Sequence, residues 1–169
     1  IVALSGCLSG QIPRAIQSKK IDEALRFIGE YQDIFGKENF YLELGAHPNI
    51  PEQKIVNSAL VELSRKTAAK IVGTNDIHYI KADDAEAQDI LVSVQTGARF
   101  EDENRLTMKA DNFSMKSAAE MADFFRDTPE AVFNTQEIAE RISIDIPLGK
   151  FHLPNFPVPQ GATPESFLK

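Results

Sequence analysis

The sequence predicts an α/β fold in which βα units around a parallel sheet or barrel are followed by a helical and proline-rich connecting segment. Three observations lead to this prediction. Short apolar runs alternate with helical patterns over residues 1–96, helix-start signals recur over residues 97–145, and five prolines fall within residues 146–169. Strands that alternate with helices are typical of βα units around a parallel sheet or barrel. We therefore divide the chain at these boundaries.

Three apolar runs predict the strands, at residues 1–5, 40–44 and 70–74. The first, IVALS, has the composition of a buried strand and ends in a Ser-Gly-Cys turn. Three strands are too few to close a barrel. The chain also opens with Ile1 inside an apolar run, so we expect it to start within a domain, with further strands upstream.

Three helices are predicted between and after these strands. Apolar residues recur at helical spacing over residues 21–35, and Gly36 follows as a stop signal. Pro51 is suited to the first turn of the next helix. Asp83 or Asp84 can cap the third helix. The apolar face predicted for that third helix consists of Ala87, Ile90, Leu91 and Val94.

The second half of the chain changes character. Residues 97–112 are polar and predict a loop, and Ser117 with Glu120 forms a capping-box pattern ahead of an apolar stretch. Thr128-Pro129 indicates the start of another helix. The proline density from residue 146 onward favours an extended connector, because proline interrupts both helices and central strands.

Composition limits the classes of protein to consider. The formal net charge is −7, and an acidic chain is a poor non-specific ligand for nucleic acid because it offers few cations to phosphates. No apolar run approaches the roughly 18 residues that a membrane helix needs. The one cysteine, Cys7, rules out an internal disulfide and fits a reducing compartment. We therefore expect a cytoplasmic chain with no membrane association.

Asp76 and His78 are the first candidate site residues, since they follow the predicted strand at residues 70–74. Ligands gather at the carboxyl ends of parallel strands in α/β folds. In an extended stretch, residues two apart point to the same side. Carboxylate and imidazole are both ligands for Zn²⁺ or Mn²⁺. The alternative is that Asp76 caps the following turn and His78 is a half-buried histidine whose hydrogen bonds are satisfied within the protein.

Cys7 also follows a predicted strand, and its thiolate could be a third metal ligand. The alternative is a small buried hydrophobic residue without chemistry. Glu43 alternates with Leu42 and Leu44, so it faces either solvent or a barrel interior. His47 lies in a predicted loop, where a surface histidine is the more common case. No glycine-rich phosphate loop is present, because the run at residues 5–10 lacks the Gly-Lys-Ser/Thr ending.

Taken in order, these segments resemble the later part of the PHP domain of bacterial DNA polymerase III alpha subunits. The residues that carry the resemblance are 3–10 (ALSGCLSG), 40–44 (FYLEL), 51–53 (PEQ) and 74–79 (TNDIHY). Downstream, residues 116–121, 129–135 and 138–140 resemble the stretch after that domain, and 153–161 resembles the entry to the polymerase core.

The resemblance implies a distorted barrel of parallel strands with a cluster of divalent metals, Zn or Mn, at the strand carboxyl ends. It implies that Cys7, Asp76 and His78 are three of the metal ligands. The family's His-x-His segment and its polymerase carboxylates, which use Mg, lie outside these residues, so we expect a partial metal site and no polymerisation by this chain alone. His47-Pro48-Asn49 stands where the family usually has a His-Gly pair.

Three functions follow from the resemblance as alternatives. The first is a metal-binding accessory region of a replicative polymerase, acting on DNA and dNTPs and carrying a 3′–5′ exonuclease or phosphoesterase activity. The second is a non-catalytic scaffold that stabilises the polymerase and docks a separate proofreading subunit. The replicase partners implied by the resemblance are a proofreading exonuclease and a sliding clamp. The third is a stand-alone PHP phosphatase, which residues 153–159 disfavour because a phosphatase needs no polymerase entry segment.

Overall fold

The computed structural model describes residues 1–151, 153–154 and 157–168. Three strands, seven α-helices and two short 3-10 helices, Lys37–Asn39 and Ala82–Asp84, are found in this part of the chain. The strands are β1 (Ala3–Leu4), β2 (Phe40–Gly45) and β3 (Lys70–Thr74). The helices are α1 (Gln11–Gln17), α2 (Ile21–Phe35), α3 (Pro51–Thr67), α4 (Ala85–Thr96), α5 (Ala118–Phe124), α6 (Glu130–Arg141) and α7 (Pro164–Phe167).

The three strands form one parallel sheet in the order β1-β2-β3. Ala3 is in register with Phe40, and Tyr41 is in register with Lys70. All three carboxyl ends therefore reach the same edge of the sheet. The predicted α/β class with consecutive parallel βα units is confirmed.

The prediction for the first strand is wrong in length and in burial. β1 has two residues instead of five, Ile1 is fully exposed, and Leu4 is 40% exposed. Among the described residues β1 pairs only with β2. Its outer edge therefore has no neighbour to order or cover the residues that precede it.

The core lies between the sheet and its helices. It is built from the apolar faces of α1, α2 and α3 against β2 and β3, with Phe40, Leu42 and Leu44 all but inaccessible to solvent. The helix boundaries follow local signals: α2 ends at Gly36 with φ of 84°, and α3 has Pro51 in its first turn. Both boundaries agree with the sequence prediction.

Helix α6 packs on β3, and Phe125, the residue after α5, lies against Gly73 of the same strand. Phe125 and Ala131 belong to the same cluster of buried residues as the strands. Gly73 leaves room for the Phe125 ring, and the Asn134 amide donates to the carbonyl of Ile71 at 2.6 Å. Residues before and after position 96 thus contribute to one hydrophobic core. The predicted domain boundary at residue 96 stays a prediction.

Helix α4 begins after Asp84, as predicted. However, it buries the face opposite to the apolar one that the sequence pattern predicted to be buried. The predicted face is exposed, with Val94 at 73%, while Asp89, Val92 and Ser93 are buried. The Asp84 carboxylate accepts from the backbone N–H of Lys81 at 2.9 Å rather than from the helix itself. Polar partners of Asp89 in the following loop determine which face turns inward.

The remaining segments are largely as predicted. Residues 97–117 contain no helix or strand, and Ser117 with Glu120 forms the capping box that begins α5. From residue 146 the described part is extended or turned, apart from α7, which the proline pattern did not predict. Thr163 caps α7 and Pro164 occupies its first turn. None of the helices described is long and apolar enough to span a bilayer.

Candidate metal centre

A cavity opens at the edge of the sheet where the three strands end. It is lined by Gly6, Cys7, Glu43, Gly45, His47, Gln53, Thr74 and Asp76. Apart from Gln53, which lies in α3, these residues come from the loops after β1, β2 and β3 or from β2 and β3 themselves. The parallel sheet therefore collects side chains that are far apart in sequence into one place.

Cys7 reaches the cavity from the turn after β1. Gly6 adopts φ of 81°, a conformation that glycine adopts without strain, and this directs the chain sharply away from the strand. Ser5 is buried, and its Oγ accepts the backbone N–H of Glu43 at 2.8 Å. This bond ties the turn to β2, while the Cys7 side chain remains exposed to solvent.

Asp76 lines the same cavity from the loop after β3. Its φ is 54°, a left-handed conformation that aspartate tolerates better than most residues. His78 lies beside it, with Nδ1 3.1 Å from the Asp76 carbonyl oxygen and 3.7 Å from its Oδ1. The cavity lining includes Cys7 and Asp76 but not His78.

The segment at residues 112–116 holds this loop in place. The backbone N–H of His78 donates to the carbonyl of Phe113 at 2.9 Å, and the Phe113 N–H donates to the Tyr79 hydroxyl at 2.9 Å. Lys116 Nζ donates to Asn75 Oδ1 at 2.9 Å. The conformation of the loop that carries Asp76 and His78 thus depends on residues beyond position 96.

His47 is buried, which corrects its assignment as a surface histidine. Its ring is 6% exposed and packs on Phe113 with ring centroids 4.8 Å apart. Nε2 lies 3.5 Å from Asp76 Oδ2, and Nδ1 lies 3.5 Å from Asp111 Oδ2. The loop that follows β2 turns inward because Asn49 donates to Asp111 Oδ1 at 2.9 Å.

Glu43 faces the cavity rather than bulk solvent. Its Oε1 accepts the Thr74 hydroxyl at 2.8 Å, so the side chain is held across the ends of β2 and β3. This resolves the two orientations left open by the alternating pattern of β2. Glu43 therefore lines the same cavity as Asp76 and His47.

The donor types at this edge suit a divalent metal. Thiolate, carboxylate and imidazole are ligands for zinc, and carboxylate also suits manganese. Cys7 and Asp76 share one cavity. In the part of the chain that the structure describes, however, no three His, Cys, Asp or Glu side chains are gathered closely enough to hold an ion. The assignment of Cys7, Asp76 and His78 as ligands stays a prediction.

Sequence reasoning missed two residues at this site. His47 follows β2 directly, so the rule that selected Cys7 and Asp76 could also have selected it. Asp111 follows no strand and lies in a stretch predicted only as loop. Its burial beside His47 arises from tertiary packing and left no signal in its immediate sequence.

Comparison with known proteins connects this site to a family. The PHP domain family matches residues 1–47. DNA polymerase III subunit alpha of Borreliella burgdorferi is 43% identical over 141 residues, which are 83% of this chain and 12% of that protein. The Thermus aquaticus subunit is 36% identical over 178 aligned positions, and that of Pseudomonas aeruginosa is 35% identical over 169. Both of these alignments cover 100% of this chain and 14% of the relative.

The chain thus spans about an eighth of the length of these relatives. The similarity extends well past the PHP match, into the segment that packs on β3 and holds the Asp76 loop. The identities of 35 to 43% are spread over most of the chain. The chain therefore belongs by sequence to the DNA polymerase III alpha subunit family, of which it represents one segment that carries part of a PHP domain.

Proposed function

We propose that this chain is a metal-binding accessory region within a replicative DNA polymerase. The complete polymerase would carry out template-directed DNA synthesis from dNTPs in the cytoplasm, with Mg²⁺ at an active site outside this chain. It would work with other replicase subunits, among them a proofreading exonuclease and a sliding clamp. The observation that carries the metal-binding part is that Cys7 and Asp76 line one cavity at the carboxyl ends of the strands.

In this proposal Cys7, Asp76 and His78 hold Zn²⁺ or Mn²⁺ together with ligands from other parts of the polymerase. A divalent metal bound there would polarise a phosphate oxygen and lower the pKa of a bound water. The chain's own contribution is to fix the ligands. The bond from the Glu43 N–H to Ser5 orients the Cys7 turn, and residues 112–116 orient the Asp76 loop.

Hydrolysis of a DNA 3′ end or of a phosphate ester is the reaction that such a site supports best. The cavity is open at the sheet edge and is bordered by polar groups, which suits an anionic substrate once the metal neutralises the carboxylates. The second candidate is a scaffold that stabilises the polymerase and docks a proofreading subunit. It is favoured by the absence of a closed three-ligand group among the described side chains.

The test uses the full-length alpha subunit. His78→Ala should lower the content of Zn or Mn and the rate of 3′–5′ hydrolysis on a primed template, while primer extension with all four dNTPs is retained. Asp123→Asn, on the exposed surface of α5, is the matched control.

Two results would count against the proposal. Equal metal content in the wild type and His78→Ala would remove His78 from the ligand set. A wild-type subunit that contains no metal and hydrolyses no 3′ end would favour the scaffold instead.

A further inference from the structure

The segment that follows α6 has the alternating pattern of a β-strand but is unpaired. Residues 142–146 read Ile-Ser-Ile-Asp-Ile, so isoleucine recurs at every second position. In an extended chain the three isoleucines point to one side and the two polar residues to the other. Isoleucine also has a high preference for strands. In the part of the chain that the structure describes, however, residues 142–146 belong to no helix or strand.

The apolar side of this segment is exposed to solvent. Ile142, Ile144 and Ile146 are 52, 76 and 70% exposed. Segments that serve only as linkers are typically rich in glycine, serine, proline or charged residues. Natural proteins cover or interrupt exposed apolar strands, because such strands otherwise pair with other chains. Three exposed isoleucines on one side therefore indicate a surface that another strand covers.

The start of the segment is fixed by the end of α6. Arg141 Nη1 donates to the carbonyl of Glu38 at 2.7 Å and to the Tyr41 hydroxyl at 3.1 Å. One turn earlier in α6, Glu137 accepts from Lys70 Nζ at 2.7 Å. These bonds attach the helix end to the amino ends of β2 and β3. The position at which the segment leaves α6 is therefore determined by the fold.

An open cavity of about 320 Å³ lies beside the segment. Ile1, Val2 and Asn39, which precede β1 and β2, line it together with residues 141–144. Ile1 is fully exposed, and among the described strands β1 pairs only with β2. Two apolar stretches of backbone that lie outside the sheet thus border the same open space.

The rest of the same polypeptide is the partner that the family membership favours. The alpha subunits that align with 100% of this chain, residues 142–146 included, extend far beyond it, because the alignment covers 14% of each. A strand elsewhere in that polypeptide is tethered to the segment, so its effective concentration is high. A second copy or a separate subunit lacks this advantage.

We propose that residues 142–146 form an edge strand in the complete alpha subunit, paired on one side with a strand from another part of the same polypeptide. The isoleucine side packs on apolar residues of the partner, and Ser143 and Asp145 lie on the opposite side. Strand addition of this kind takes its affinity from main-chain hydrogen bonds and its specificity from alternate side chains. The inference goes beyond the metal-binding proposal and does not depend on it.

Hydrogen–deuterium exchange of the full-length alpha subunit, read at single amides by mass spectrometry, tests the pairing. In an edge strand, neighbouring N–H groups point alternately toward the partner and away from it. Over residues 143–146, every second amide should therefore exchange at less than about a tenth of the rate of the amides at 148–150, since a paired amide exchanges only after local opening. Rates that are equal in the two ranges, or uniformly slow over 143–146, would overturn the proposal.

A pair of variants tests the packing of the isoleucine side. Ile144→Asp places a charge on that side and should abolish the slow exchange. Ile34→Asp, at an exposed isoleucine of α2, is the matched control and should leave the rates at 143–146 unchanged. Slow exchange that persists in Ile144→Asp would contradict burial of the isoleucines.

The choice of partner is tested by the conditions under which the slow exchange appears. Pairing within one polypeptide predicts the same rates at all protein concentrations and in the absence of other replicase subunits. Protection that appears only at high concentration would assign the partner strand to a second copy, and protection that requires an added subunit would assign it to that subunit. Either result would overturn pairing within the chain, and neither would bear on metal content.

Discussion

Arg105 makes bidentate hydrogen bonds to the buried carboxylate of Asp89 through two nitrogens of its guanidinium. Nη1 donates to Oδ1 at 2.8 Å and Nη2 donates to Oδ2 at 2.5 Å. Thr107 donates to Oδ1 at 2.7 Å, and Lys109 Nζ lies 3.1 Å from Oδ2. The carboxylate thus holds the loop after α4 against the buried face of that helix, which is why the apolar residues of α4 face outward.

Arg105→Ala should lower the stability of the folded chain. The substitution leaves the Asp89 carboxylate buried without its principal partner, and an uncompensated buried charge is strongly destabilising. Thermal unfolding followed by circular dichroism measures the effect. Arg126→Ala is the matched control, since its ion pair with Asp123 is exposed and should contribute little. Equal unfolding midpoints for the two variants would contradict this account of the α4 loop.

The stability of the folded chain should fall in acid because the Asp89 carboxylate becomes protonated. Hydrogen bonds from Arg105, and then Thr107, hold the pKa of Asp89 well below its ordinary value of 3.8. A lowered pKa in the folded state means that the unfolded chain takes up this proton first as the pH falls. At a pH above the unfolded-state pKa, Asp89 therefore makes its full contribution to the free energy of unfolding. This contribution is lost as the pH falls from the unfolded-state pKa through the folded-state pKa.

Urea unfolding at a series of pH values checks this sign. The wild type should lose stability steeply below a pH of about 4, and Asp89→Asn should show a shallower decline because it lacks that titrating group. An identical acid slope in both proteins would show that Asp89 does not carry the effect.

Gly73→Ala should destabilise the packing of Phe125, the residue after α5, on the sheet. A methyl group at Gly73 would lie 2.5 Å from Cε2 of Phe125, whose ring is buried. Overpacking of this kind costs about 1 to 3 kcal/mol. Gly29→Ala is the matched control: nothing lies within 4 Å of the added methyl in the middle of α2. That substitution should stabilise the helix by about 0.5 to 1 kcal/mol.

Chemical unfolding of both glycine variants measures the two free energies of unfolding. The expected changes have opposite signs, so a common loss of stability would contradict the packing described here. It would indicate instead that any methyl group added to a glycine of this chain is harmful.

The outward face of α4 should make the 169-residue chain self-associate. Ile90, Leu91 and Val94 form a contiguous apolar patch and are 47 to 73% exposed. Patches of this kind usually mark contact surfaces. Sedimentation velocity should show association that increases with concentration and is reduced by Leu91→Gln with Val94→Gln. Ile34→Gln, at a separate exposed residue of α2, should have no effect. A monomer at all concentrations would contradict this expectation.

Features with local causes could be predicted from the sequence. Pro51 at the start of α3, Gly36 after α2 and the Ser117–Glu120 capping box each satisfy backbone groups within a few residues. The ranges of β2 and β3 also followed from short apolar runs, because both strands are covered in the core. These elements therefore required no knowledge of distant contacts.

Features that depend on contacts between distant residues could not be predicted from the sequence. The inverted packing of α4 depends on Arg105, sixteen residues from Asp89. The burial of His47 depends on Asp111 and Phe113, from a loop with no periodic signal. β1 is shorter and more exposed than its apolar run suggested, since only one neighbouring strand is described. The candidate ligands could be chosen by their position after strands, but their mutual geometry could not.

The metal content of the purified full-length alpha subunit tests the central claim most directly. Elemental analysis of the wild type, Cys7→Ala and Asp76→Ala would be carried out after dialysis against metal-free buffer. The account predicts bound Zn or Mn in the wild type and a clear loss in both variants, because the two side chains line the same cavity. A wild type without metal, or variants with undiminished metal, would contradict it.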